Sequence, residues 1–339
     1  MKKIRVLVVD DSLTFRQLLV NGINKDPGLE VVGVAADAYE ARDEIIRTRP
    51  DVMTLDVELP KMSGIEFLRR LLPQYTIPVV MVSSLNETVF DAMAAGAVDF
   101  VNKPQAMRPD DIANFVELEL NTKIKIASMA KVSPPVGAGM RPVHRTCGSY
   151  GDRVIAIGAS TGGTEAIFEV VKQFDTDIPG TVIVQHMPPG FTKMYADRLN
   201  RDCKIEVREA KNGDRVQTGV ALLAPGDKQM RLVRAGDHFE VSCMEGEKVS
   251  GHCPSVDVLF DSVAKAAGDK AVGVILTGMG GDGSNGLLAM RQAGAHTIGQ
   301  DEATCVVYGM PKVAFEKGGV EVQAPIESIA GRVYKLLNQ

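Results

Sequence analysis

The chain lacks an excess of basic residues: 38 Lys and Arg stand against 43 Asp and Glu, a net charge of −5. That balance argues against a nucleic-acid-binding output, which needs a basic face. Paired cysteines are also missing. Cys147, Cys203, Cys243, Cys253 and Cys305 are odd in number and none has C-x-x-C spacing. They read as free structural thiols in a reducing cytoplasm. A zinc reading of His252-Cys253 with Cys243 lacks spaced ligand pairs. No apolar run approaches the length of a membrane span. Met1 to Arg5 leads into Val6-Leu7-Val8-Val9 and then Asp10-Asp11, which reads as a first strand and not a signal peptide. A cytoplasmic protein without membrane insertion is expected. What is present is ordinary for a globular protein, with 24 % charged and 45 % hydrophobic residues. The 339 residues suffice for two cores, so neither metal nor disulfide is required as a staple.

Short apolar runs alternate with amphipathic stretches. Strands are expected at Ile4–Val9, Glu30–Ala35, Asp51–Leu55, Pro78–Val82 and around Phe100–Val101. Ser12 reads as the cap of a helix carrying Phe15, Leu18, Leu19 and Ile23 on one face. A second helix is expected from Ala38 to Arg49, and a last one from about Asp110 to beyond Lys125. Near-continuous apolar strands predict a parallel sheet covered on both faces. Pro and Gly then crowd Ser133–Gly151, a linker. Val154–Ile157, Thr181–Gln185 and Val272–Thr277 are the clearest strands beyond it, and Val216–Asp237 has the alternation of an antiparallel insertion. The expected architecture is α/β throughout: two doubly wound parallel-sheet domains. The first is flavodoxin-like (residues 1–125), followed by a linker (126–151) and a Rossmann-like domain (152–339).

In an open parallel sheet, ligands bind outside the carboxyl ends of the strands where the strand order reverses. With the order 2-1-3-4-5, Asp10 and Asp11 after the first strand meet Asp56 after the third. Three packed carboxylates repel one another and call for a hard, oxygen-preferring cation, which Mg²⁺ fits. Ser83 and Lys103 end the fourth and fifth strands and face the same crevice. Such a set is a receptacle for a phosphoryl group, with the central Asp56 as nucleophile. Around these residues stand Leu55-Asp56-Val57-Glu58-Leu59-Pro60 with Gly64, and Asn102-Lys103-Pro104. With these motifs, residues 1 to about 125 resemble the receiver domain of bacterial two-component response regulators. The resemblance implies that Asp56 is phosphorylated by a histidine kinase and that Ser83 and Phe100 move in response. It also implies that the Glu58 backbone carbonyl is a further metal ligand.

The second candidate site starts at Gly158-Ala159-Ser160-Thr161-Gly162-Gly163, between an expected strand and a helix. A dinucleotide-binding loop, a plain turn and a nucleophile elbow all begin this way. Ser160 stands where the dinucleotide fingerprint needs its second glycine, and G-x-S-x-G matches the elbow. His186 follows one strand and Asp282 lies in a Gly-rich loop after another, so the three side chains can converge on one sheet edge. The chain order Ser, His, Asp differs from that of α/β-hydrolases, so another sheet must carry the triad. The motifs Gly-Ala-Ser-Thr-Gly-Gly, Gln-His-Met-Pro, Gly-Met-Gly-Gly-Asp-Gly, Pro254-Ser255-Val256-Asp257 and Tyr308-Gly309-Met310-Pro311 together resemble the catalytic domain of the chemotaxis methylesterase family.

That resemblance implies hydrolysis of glutamate methyl esters, and deamidation of glutamines, on the cytoplasmic helices of chemoreceptors. No cofactor is expected for that chemistry. Backbone N–H groups near Thr161 or Met279 are candidate oxyanion donors, with the Met279 side chain left to packing. His252 is a candidate for the lining of the substrate cleft. His238 and His296 read as surface or turn histidines, and Lys123–Lys131 as a solvated helix end. The order of switch, linker and enzyme predicts that the unphosphorylated receiver covers the Ser160 cleft and that phosphorylation of Asp56 releases it. A monomer is expected.

Overall fold

The computed structural model describes residues 2–84, 88–104, 109–132 and 150–339. Residues 133–149 of the expected linker lie outside them. The chain divides into two compact units, Met1–Gly137 and Ala138–Gln339.

In the first unit the strands are Ile4–Val9 (β1), Leu29–Ala35 (β2), Val52–Asp56 (β3), Val79–Ser83 (β4) and Asp99–Asn102 (β5). Every residue of β3 and β4 is buried, as expected of central strands with helices on both faces. They form one sheet in the order β2-β1-β3-β4-β5 with parallel pairing throughout. The reversal of order at β1 sets the ends of β1 and β3 side by side. Ser12, Asp37 and Ser63 each accept a hydrogen bond from a first-turn N–H and so fix the starts of helices Leu13–Lys25, Ala38–Thr48 and Gly64–Leu71.

The last helix of this unit has an irregularity the sequence does not announce. It runs as Pro109–Asn114, Phe115–Leu120 and Asn121–Ala127, with the middle segment widened into a π-helix. The buried Phe115 and Leu120 lie five residues apart, which suits the wider turn and not the 3.6 period. Gly22 on the facing helix makes room for it. A Cβ there would come within 2.6 Å of Val116 Cγ1.

The second unit contains Val154–Ala159 (β6), Gly180–Gln185 (β7), Glu206–Glu209 (β8), Asp214–Arg215 (β9), Val220–Leu223 (β10), Gln229–Ala235 (β11), His238–Met244 (β12), Ala271–Ile275 (β13), His296–Gln300 (β14) and Val322–Ala324 (β15). Seven of these make a parallel sheet in the order β15-β14-β13-β6-β7-β10-β8. Successive strands first run outward from β6 through β7, then return to build the other half from β13. The order therefore reverses at β6, the place where such sheets bind ligands.

The expected antiparallel insertion over Val216–Asp237 needs correction. Val220–Leu223 within it is β10, a strand of the parallel sheet, while the antiparallel sheet β11-β12-β9 extends to Met244. Both carry apolar runs, and only the partner distinguishes them. The inner face of the insertion, with Met230, Leu232, Phe239, Val241 and Cys243, joins Leu259, Phe260 and Val263 of the helix Val256–Ala267 in one apolar core.

Candidate functional site

The second unit brings Ser160, His186 and Asp282 together at the switch point. Ser160 follows β6 directly, and its N–H donates to the Thr277 carbonyl beyond β13 (3.0 Å). Gly162, at φ +74°, turns the chain into the helix Gly163–Val171. Gly278 stands directly behind the serine. A Cβ at Gly278 would lie 2.7 Å from Ser160 Cβ and 2.3 Å from Met310 Sδ, so only glycine fits.

His186 follows β7, and its N–H donates to the Ala159 carbonyl (3.2 Å). Its Nδ1 lies 3.1 Å from Ser160 Oγ and its Nε2 lies 2.8 Å from Asp282 Oδ2. Asp282 sits in a loop bent by Gly280 and Gly283, at φ +84° and +87°. Its carboxylate accepts from four donors. His186 Nε2 and the Val256 N–H (2.7 Å) reach Oδ2, while Ser255 Oγ (2.7 Å) and the Asp257 N–H (3.1 Å) reach Oδ1. Two of these donors are the first N–H groups of helix Val256–Ala267, so the helix dipole also favours the charge. Burial pushes the Asp282 carboxyl up, but His186, Ser255 and Val256 outweigh burial and hold it below the ordinary aspartate value.

An ionised carboxylate only accepts hydrogen bonds. The His186 proton therefore resides on Nε2, and Nδ1 turns its lone pair to Ser160. In serine proteases of the chymotrypsin type the two ring nitrogens have the opposite assignment. The chemistry is the same: a hydroxyl facing a base that a buried carboxylate orients.

Sequence reasoning missed the residues that brace this chain of bonds. Gln185 Nε2 donates to the Ser160 carbonyl (2.8 Å) and to the His186 carbonyl (3.2 Å), tying nucleophile to base. Gly163 allows it, because a Cβ there would meet Gln185 Oε1 at 2.1 Å. Ser255 stands out in the sequence only as part of a motif, although its hydroxyl is bonded to the acid. Of the candidate oxyanion donors, Thr161 is buried beside Ser160, and Met279 follows Gly278. The Met279 side chain is 41 % exposed. His252 lies on the face of the His186 ring. His238 is held between Asp237 and Glu240, and His296 bonds Glu321, as surface residues would.

In the first unit Asp10, Asp11 and Asp56 each offer an oxygen within 4.8 Å of the others. Lys103 Nζ bridges two of them, at 2.7 Å from Asp10 Oδ2 and 2.5 Å from Asp56 Oδ2. Its ammonium also lies over the Phe15 ring, 4.9 Å from the centroid. Asp56 is 4 % exposed. Burial, only partly offset by Lys103, drives its carboxyl up to about 6, and the charge of Asp10 adds to the rise. The Glu58 N–H donates to Asp56 Oδ1 (3.2 Å), so the Glu58 backbone runs along the site. Gly64 is pressed against the Asp56 carbonyl, where a Cβ would lie 1.9 Å from the oxygen. Ser83 is buried, and its hydroxyl donates to the Ser84 carbonyl. Phe100 is buried edge-on to Phe90, with Lys123 over its ring at 5.4 Å.

Comparisons with known proteins address both units. A family model described as CheB methylesterase matches residues 155–333, and one described as response regulator receiver domain matches residues 6–116. A protein-glutamate methylesterase/protein-glutamine glutaminase 2 of Syntrophomonas wolfei is 60 % identical over 100 % of this chain and 99 % of its own length. The protein-glutamate methylesterase/protein-glutamine glutaminase of Salmonella typhimurium is 47 % identical, over 97 % of this chain and 96 % of that protein. The crystal structure of the Thermotoga maritima CheB methylesterase catalytic domain aligns with a TM-score of 0.53 at 35 % identity. It covers 54 % of this chain and 98 % of that one.

Proposed function

The chain belongs to the CheB methylesterase family, with a response-regulator receiver in front of the esterase domain, and from that premise we propose that Ser160, His186 and Asp282 hydrolyse glutamate methyl esters and deamidate glutamines on chemoreceptor helices. The observation that carries this reading is the unbroken hydrogen-bond chain from Ser160 Oγ through both ring nitrogens of His186 to Asp282. Nδ1 takes the serine proton as Oγ attacks the side-chain carbonyl. The imidazolium that results is stabilised by Asp282, whose charge is already held by protein donors. Collapse of the tetrahedral intermediate expels methanol or ammonia, protonated from Nδ1, and leaves an acyl-enzyme. Water, activated by the same nitrogen, then releases the glutamate. The Thr161 and Met279 N–H groups are the oxyanion donors in this scheme.

Asp56 is the regulatory phosphoacceptor in this reading, charged by a histidine kinase. The acidic cluster of Asp10, Asp11 and Asp56 suits Mg²⁺, and these three with the Glu58 carbonyl would hold it. The metal would neutralise charge on the incoming phosphoryl group. Lys103 already bridges Asp10 and Asp56, so it is placed to follow that charge. Ser83 and Phe100 are the proposed relays.

Methanol release from methylated chemoreceptor membranes, with and without a small phosphodonor, tests both sites. Release should rise with the phosphodonor. Ser160→Ala should lower it on the order of 10⁴–10⁶-fold in a folded protein. Undiminished release from that variant would sink the triad.

A further inference from the structure

The loop beside the triad is fastened at several points. Val249 and His252 exchange backbone hydrogen bonds of 3.0 and 2.9 Å, closing a turn whose central residues Ser250 and Gly251 have φ of +53° and +84°. Two positive φ values mark the mirror-image turn that joins tightly paired strands, and a serine there is under backbone strain. Gln229, at the start of β11 and only 1 % exposed, anchors the segment on both sides of that turn. Its Nε2 donates to the Glu247 carbonyl (2.9 Å) and the His252 carbonyl (3.2 Å), and its Oε1 accepts from the Ser255 N–H (2.9 Å).

This one segment touches both the base and the acid. The Ser255 hydroxyl donates to Asp282. The His252 ring lies on the His186 ring with centroids 3.7 Å apart and planes within 11°. We propose that His252 is a positioning residue for the hydrolysis, holding the His186 imidazole in plane by the flat face of its own ring. This rests on the triad reading given above.

The reason lies in which nitrogen faces Ser160. Nδ1 is bonded to Cγ and stands further from the Cβ–Cγ axis than Nε2 does. A given rotation of the ring about that axis therefore swings Nδ1 through the larger arc. The torsion is a broad, soft one. Its two in-plane hydrogen bonds, to Ser160 and Asp282, resist rotation weakly at first. A stacked ring resists it at once, because tilting drives one edge into the neighbour. The antiparallel insertion thereby gains a function: it delivers a flat wall to the base.

The test is kcat and KM for methyl ester hydrolysis by the full chain. His252→Ala should lower kcat about 10- to 100-fold while KM stays within about twofold, as expected when geometry rather than binding is lost. His252→Phe keeps a flat ring without nitrogens and should recover kcat to within a few-fold of wild type. The rate at which a fluorophosphonate labels Ser160 should follow the same order, since it reads base activation without receptor binding. Wild-type kcat in His252→Ala overturns the proposal. So does His252→Phe being as slow as His252→Ala, because the ring nitrogens and not its face would then matter. Ser160→Ala in the same assay separates the two levels. If it stays active, the triad reading fails and takes this one with it. If it is dead while His252→Ala is normal, only the role of His252 falls.

Discussion

Asp56 and Asp282 are buried alike, at 4 % and 2 % exposure, and both stand at the carboxyl edge of a parallel sheet, Asp56 as the last residue of β3 and Asp282 in the loop beyond β13. Their carboxyl groups are nevertheless displaced in opposite directions, Asp56 up to about 6 and Asp282 below its ordinary value. The difference lies in how each charge is solvated. Around Asp282 the protein supplies four directed donors and a helix N-terminus, a complete shell with no other acid bonded to it. Around Asp56, among the described residues, it supplies one lysine, shared with Asp10, and one backbone N–H. Under the proposed function, the charge that must stay put while a neighbouring imidazole gains and loses a proton is the one held by several directed donors. The one proposed to react has fewer partners among the described residues, and in that proposal a cation and a phosphoryl group would complete it.

The largest effect that sharpens this comparison is expected from Asp282→Asn. Either amide orientation sets the amide nitrogen against one backbone N–H. The oxygen is expected toward Val256 N–H (2.7 Å) and His186 Nε2–H, because the Asp257 N–H on the other side is the more distant donor (3.1 Å) and Ser255 Oγ there can turn to accept. The productive tautomer then survives, while the charge and the hydrogen bond from the Asp257 N–H are lost. A kcat reduction of about 10²–10³-fold is expected, less than the ~10⁴ seen where asparagine imposes the wrong tautomer. The ¹⁵N shifts of His186 in this variant should still show the proton on Nε2. A proton found on Nδ1 would break the argument.

Asp56→Asn comes next. It should abolish stimulation by a phosphodonor and leave basal methanol release unchanged. Loss of basal release in a folded protein would mean that the two sites do not divide the labour.

The smallest effect concerns stability without metal. The folded chain binds a proton at Asp56 more tightly than the unfolded chain, so this group lowers stability as pH rises from the ordinary 3.8 through about 6. In chelator at pH 7, Asp56→Asn should stabilise the receiver unit by roughly 1–3 kcal/mol in urea unfolding, and the gain should vanish near pH 4. Asp282 works the other way: its contribution is present above the ordinary carboxylate range and is lost as pH falls through its lowered value. A gain that persisted at pH 4 would mean that charge burial is not the cause.

Much of the site is legible in the sequence because strand ends are legible. Asp10, Asp56, Ser83 and Lys103 each close or follow an apolar run, and a parallel sheet gathers such positions at one edge. Ser160 and His186 obey the same logic at β6 and β7. The hidden part depends on approach rather than order. Which nitrogen of His186 meets Ser160 is set by the angle at which β7 delivers the ring, and no spacing encodes it. The stacking of His252 requires a turn with positive φ at Ser250 and an anchor at Gln229, 23 residues away. The π segment escapes notice because Val116 and Leu120, also both buried, keep the four-residue spacing of an ordinary helix. Val220–Leu223 misleads because an apolar run does not say which sheet receives it.

Three glycines of the second unit have a common consequence. Gly158, Gly163 and Gly278 each stand where a Cβ would strike a neighbour within 2.3 Å, respectively Val256, Gln185 and Met310. At these three points the side chains of Val256, Gln185 and Met310 seat directly on the bare main chain of β6, of the helix that follows Ser160 and of the loop beyond β13. Side chains seated this closely on backbone cannot loosen far unless the backbone moves with them. On heating, esterase activity should be lost together with the sheet itself, without an earlier stage in which the unit is folded but inactive.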